Sequence, residues 1–153
     1  MSFDYTTPQG FDTLTKAGDG WKMETVTYAS KTTGADRFCH VILPAGYSAD
    51  TSYPVLYLLH GIGGDHNEWM GGEPATVFGN LWAKGEAKEM IVVIPNVRAR
   101  ANDAGNPEDI YTPKHFEAFD NFINDLRDDL MQNNKKNYSV KTGRENTAIA
   151  GLS

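Results

Sequence analysis

Hydrophobic and polar residues change their period along this chain, and each change marks an element. From Trp21 to Tyr28 apolar and polar residues roughly alternate, and Arg37 to Leu43 is rich in β-branched and aromatic residues. With "SKTTGAD" between them as a turn, the pair predicts an antiparallel hairpin. "PVLYLLH" from Pro54 and "MIVVIPN" from Met90 are instead nearly continuous apolar runs, the pattern of strands covered on both faces. Between them "EPATVFGNLWAKG" sets Val77, Phe78, Leu81 and Trp82 on one side at helical spacing and stops near Gly85. Strand, helix, strand predicts a parallel crossover unit.

The clearest helix is "TPKHFEAFDNFINDLRDDLMQN". Phe116, Phe119, Phe122, Ile123, Leu126, Leu130 and Met131 form a stripe opposite Asp120, Asn124, Arg127 and Asp128, with Thr112 as cap and Pro113 in the first turn. After "NYSVKTGREN", Ala148, Ile149 and Ala150 are short enough for the crowded centre of a sheet, so a third buried strand leads into Ser153. Residues 1–20 mix Gly, Thr and Asp without period and are expected to form an irregular extension. No internal repeat or low-complexity tract interrupts the rest.

Composition narrows the function classes. The 153 residues are 40% hydrophobic and 11% aromatic, ordinary for one globular domain or part of one. A formal net charge of -6 argues against a nucleic-acid partner, which needs clustered Lys and Arg. The longest apolar runs, "VLYLL" and "MIVVI", fall far short of the roughly 20 residues that cross a bilayer, so no membrane partner is expected. Cys39 is the single cysteine and admits no internal disulfide. The N-terminus lacks the basic start and apolar core of a secretory signal.

The chemistry lies at two turns that follow apolar strands. A serine hydroxyl is a poor nucleophile unless it stands on a sharp turn, beside a base, with backbone N–H groups aimed at the developing oxyanion. Gly151-Leu152-Ser153 after a strand fits the first half of a Gly-x-Ser-x-Gly elbow, although that tripeptide alone is more often a plain turn. "HGIGG", His60 to Gly64, follows "VLYLL" as the His-Gly-rich oxyanion loop of α/β-hydrolases would, with Ile62 the donor and Gly61 and Gly63 leaving room for substrate. Alone it is a Gly-rich βα turn; in this order before the serine, coincidence becomes a poor explanation.

Rival chemistries fit less well. "GIGGDH" lacks the last Gly of a dinucleotide fingerprint, and no Gly-Lys-Ser/Thr follows. His60, Asp65, His66 and Glu68 lack His-Glu-x-x-His spacing, so no metal and no cofactor is expected. Cys39 and His40 point to opposite faces of a strand, which leaves Cys39 in the core. All four histidines precede Ser153, whereas this fold orders its triad Ser, acid, His, so none should be the base. His60 reads as a loop organiser bonded to nearby backbone, and His115 as a solvent-facing residue of a first helical turn. Trp69 either lines the acyl side of the cleft or packs over the sheet, and Asn96 sits at a strand end where open sheets place ligands.

"LPAGYSADTSYPVLYLLHGIGGDHNEW", "IVVIPN" and "YSVKTGRENTAIAGLS" together resemble the first family of carbohydrate esterases, which includes feruloyl and acetyl xylan esterases. The resemblance covers roughly Tyr28 to Ser153. It implies an α/β-hydrolase with a mostly parallel central sheet and helices on both faces, of which residues 21–153 are the N-terminal part of a single domain. It also implies ester cleavage through an acyl-enzyme, with Ser153 as nucleophile, Ile62 as first oxyanion donor, and a feruloyl or acetyl ester of plant cell-wall xylan as substrate. In that family the serine is followed by Met-Gly-Gly or similar, then by the acid and the histidine, so the chain is expected to be a fragment. Secretion is the expected compartment, with a cytoplasmic S-formylglutathione hydrolase-like thioesterase or a non-catalytic module of the same fold as alternatives.

Overall fold

The computed structural model describes residues 6–153; residues 1–5 of the expected extension lie outside the described residues. Strands β1 (Lys22–Ser30) and β2 (Ala35–Leu43) form the hairpin, antiparallel from Lys22↔Leu43 to Ser30↔Ala35. Strands β3 (Val55–Leu59), β4 (Ile91–Pro95) and β5 (Thr147–Gly151) complete a sheet of order β1-β2-β4-β3-β5. β3 is parallel to both β4 and β5, and β2 meets β4 antiparallel, so the sheet is parallel through its centre and mixed at the hairpin.

The period-two alternation of the strands sorts the core onto two faces. On one face Val41, Val55, Tyr57, Ile91 and Val93 pack with Phe122, Leu126 and Leu130; on the other Ile42, Leu58, Val92 and Ile94 pack with Ala75. Helix α1 (Pro74–Lys84) covers the second face and ends at Gly85, which takes φ 69. The first is covered by a helical rod in which α2 (Pro113–Asp120), α3 (Phe122–Asp125), a π turn (Leu126–Leu130) and α4 (Met131–Asn137) follow one another. Thr112 caps the rod by accepting the His115 N–H, with Pro113 in the first turn.

Two expectations need correction. Phe116 and Ile123 are exposed, because the rod is turned so that His115, Ala118, Phe122, Asp125, Asp129 and Asn134 face inward. Buried charge selects this rotation: Tyr28 Oη donates to Asp125 at 2.7 Å, Arg37 lies 3.6 Å from it, and the Thr32 N–H donates to Asp129 at 2.9 Å. In α1 the buried positions are Pro74, Ala75, Thr76, Gly79 and Asn80, while Phe78 and Trp82 stack on one another at the margin of the core. Within the described residues β5 pairs with β3, and its residues from Ala148 to Gly151 are exposed there.

The extension is not loose where it is described. Asn80 holds it on α1, donating to the Phe11 and Thr13 carbonyls and accepting from the Thr15 hydroxyl at 2.7 Å.

Candidate active site

β3 carries His60 and the turn Gly61–Gly64 to the C-terminal end of the parallel strands, where open α/β sheets bind ligands. His60 is buried, with Nδ1 2.7 Å from the Gly61 carbonyl and Nε2 2.8 Å from the Val97 nitrogen. A backbone N–H can only donate, so Nε2 accepts from Val97 and Nδ1 carries the proton to Gly61 O. The Gly64 N–H donates to the same carbonyl at 3.0 Å. In a planar trans peptide C=O and N–H point in opposite directions, so fixing Gly61 O also aims the Ile62 N–H. Among the described residues that N–H donates no hydrogen bond.

The rest of the turn is held as firmly. Gly61 N–H donates to Glu68 Oε2 at 2.6 Å, Ile62 O accepts from His115 Nε2 at 2.9 Å, and Gly64 O accepts from the Arg98 guanidinium. Burial pulls Arg98 below its ordinary range, helped by Arg100 and opposed by Asp103. Burial pushes the Asp109 carboxyl up, but Arg100 and then His115 outweigh it and leave it below the usual range.

The end of β5 comes to this turn. Leu152 N–H donates to Leu59 O at 3.0 Å, and a Cβ on Gly61 would stand 2.6 Å from the Ser153 carbonyl oxygen. Only glycine admits that approach. Ser153, Ile62 and His60 then border one cavity of about 350 Å³, walled by Phe116, Phe119 and Leu152. Ser153 and Ile62, whose N–H is unspent, thus border one apolar pocket, and a serine with a free backbone donor beside it is part of what acyl transfer through a tetrahedral oxyanion requires.

Other candidates fall elsewhere. Trp69 takes the packing role: it lies against the Ile42–Leu58–Val92 cluster, and its indole donates to Leu59 O at 3.1 Å. Asn96 does not line the cavity, being buried with Nδ2 donating to Asp103 O and Oδ1 accepting from the Arg98 N–H. Gly63 borders Ile110. His115, expected at the surface, is fully buried, stacked on Phe119 and 3.5 Å from Asp109. His40 contacts Thr25 and Asn67, and His66 lies beside Asn67 and His40. All four histidines are therefore engaged away from the serine hydroxyl. Arg37, Arg98, Phe116 and Phe119 carry no motif and emerge as site neighbours only once the chain is folded.

Comparison with known proteins gives concordant results. The model of the family described as "Putative esterase" matches residues 30–153. An endo-1,4-beta-xylanase/feruloyl esterase of Xylanibacter ruminicola is 33% identical over 137 residues, 86% of this chain and 18% of that protein. The solved structure of a CE1 ferulic acid esterase from the anaerobic fungus Anaeromyces mucronatus is 36% identical with TM-score 0.87, covering 99% of this chain and 57% of that one. The same esterase in complex with ferulic acid gives 35% and 0.88, covering 100% and 56%. The chain thus spans little more than half the length of these solved relatives.

Proposed function

This chain belongs to that esterase family, and from this premise we propose that it supplies the nucleophile and first oxyanion donor of a serine carboxylesterase for feruloyl esters of plant cell-wall xylan. Acetyl esters are the smaller substrates that the same chemistry would accept. The observation that carries the reading is the meeting of Ser153 with the Gly61–Gly64 turn, which brings Ser153 and Ile62, with its unspent N–H, to one cavity. About 350 Å³ falls within the range of about 300–1,000 Å³ usual for small-molecule sites. Phe116 and Phe119 offer flat apolar walls to a hydroxycinnamoyl ring. A xylan-linked substrate lies outside the cell, and we place the protein there with it.

In this mechanism Ser153 Oγ attacks the ester carbonyl, and the oxygen that becomes negative accepts from the Ile62 N–H and from the amide following the serine. Collapse expels the sugar alcohol and leaves an acyl-serine, which water hydrolyses to the free acid and the serine hydroxyl. Proton transfer to and from Oγ belongs to a base and acid outside these 153 residues, because the histidines here are committed to other partners.

The test is turnover of methyl ferulate, p-nitrophenyl acetate and an acyl thioester by the full-length protein. Feruloyl ester hydrolysis should lead, and Ser153→Ala should lower it by at least about 10⁴-fold. Turnover unaffected by Ser153→Ala, or a thioester preferred over the feruloyl ester, would overturn the reading.

A further inference from the structure

We propose that buried Arg37 and His60 form an oriented hydrogen-bond relay that aims and polarises the Ile62 N–H, which makes both of them positioning residues for the oxyanion. The inference rests on the reading of Ile62 and Ser153 given above.

The relay starts on β2, on the hairpin side of the sheet. Arg37 is 1% exposed, and its Nη2 donates to the Asn96 carbonyl. The N–H of that same peptide, on Val97, donates to His60 Nε2 at 2.8 Å. Across the ring Nδ1–H donates to Gly61 O at 2.7 Å, and the N–H of that peptide belongs to Ile62. Guanidinium, peptide, imidazole and peptide therefore donate in one unbroken direction that ends at the cavity. Each unit that accepts a hydrogen bond becomes a stronger donor at its other end, and the effect is larger in a dry interior.

The charges are arranged to serve this. Arg37 lies 3.6 Å from both the Asp103 and the Asp125 carboxylates, yet Nε and Nη1 make no hydrogen bond among the described residues, so its one directed donation goes to Asn96 O. A guanidinium has donors and no acceptor, which fixes the direction of the chain at its origin. At the ring a rival exists: Asn96 Oδ1 is 3.0 Å from Nε2 and would accept from a proton there. Such a proton would face the Val97 N–H and reverse the relay. Arg98 N–H already donates to Asn96 Oδ1, which favours the relay tautomer.

Nitrogen-15 NMR of the histidine-labelled, full-length protein reads the tautomer without any mutation. A pyridine-type Nε2 beside a pyrrole-type Nδ1 is expected for His60, and a protonated Nε2 overturns the relay. Kinetics then test its consequence, as kcat per site titrated with a fluorophosphonate and as affinity for an arylboronic acid that mimics the tetrahedral state. Arg37→Gln should lower kcat about tenfold, with a parallel loss of boronate affinity and KM within about twofold. His60→Asn, whose amide reaches the Nδ1 position, should retain more rate than His60→Gln, whose amide reaches Nε2. A merely structural role would reduce the titrated fraction and the melting temperature and leave kcat per site unchanged, which also overturns the proposal. If Arg37→Gln does not fold, the ring tautomer and the His60 pair decide. An active Ser153→Ala protein would sink the earlier reading, whereas an inactive one beside full-rate Arg37→Gln would sink the relay alone.

Discussion

The two turns that meet over the cavity are held in opposite ways. After β3, Glu68, His60, Arg98 and His115 each take a backbone group of residues 61–64. After β5, Leu152 has one backbone bond to Leu59, and Ser153 rests against the α-carbon of Gly61. Side chains from three parts of the fold thus fix the turn that offers a donor, while among the described residues sheet register and one close contact bring the serine to it. Donors that stabilise a transition state work best when they need not reorganise, which suits the rigid partner.

The sharpest way to break this contrast is to fill the contact between the turns. Gly61→Ala would put a methyl 2.6 Å from the Ser153 oxygen, and a shift of about an ångström there should cost about 100-fold in kcat/KM. Gly63→Ala, two residues on, meets only Ile110 at 3.7 Å, an ordinary contact, and should change stability and barrier by no more than about 0.5 kcal/mol. Parallel rate and melting measurements on the two variants check the pair, and equal losses would show that the turn is intolerant throughout.

A smaller effect should come from loosening the rigid turn at its edge. Glu68 is exposed, but its carboxylate accepts the buried Gly61 N–H at 2.6 Å. Glu68→Ala strands that donor and should cost about 1 kcal/mol, less than a fully buried charged bond because solvent screens it. Glu68→Gln keeps an acceptor and should recover most of the loss in urea unfolding.

What was legible in the sequence follows the same division. Strands β3 and β4, the hairpin and the Thr112 cap were readable because period, β-branching and capping are local properties. The approach of the β5 end to the Gly61–Gly64 turn was readable because glycines mark close approach in the chain itself. Arg37 and His115 were not, since their partners lie 59 and 53 residues away and only folding brings them together. The rod shows the limit most plainly. Hydrophobicity favoured burying Phe116 and Ile123, but Arg37 and Tyr28 reward a rotation that turns Asp125 inward instead. Buried charge outweighed apolar area there, and no periodicity count weighs that exchange.

Acidification should separate the two turns by a subtler effect. Burial pushes the Asp65 carboxyl up, but the Asn67 amide, which donates to it at 2.7 Å, outweighs this together with His66, and it sits below the ordinary range. A carboxyl lowered on folding contributes stability that is complete above its unfolded value, about 3.9, and is lost as pH falls through the folded one. As pH falls below about 4 the segment that follows Gly64 should therefore loosen as Asp65 takes up its proton. The Asn67 and Gly64 amide shifts should move with that titration, whereas those of Ala150 and Leu152 should stay still until global unfolding. Asp65→Asn should abolish the local titration, because a neutral acceptor binds the Asn67 N–H equally at every pH. If the β5 amides titrate in step with Asn67, the two turns act as one unit, and the serine's position is tied to the rigid turn by more than its contact with Gly61.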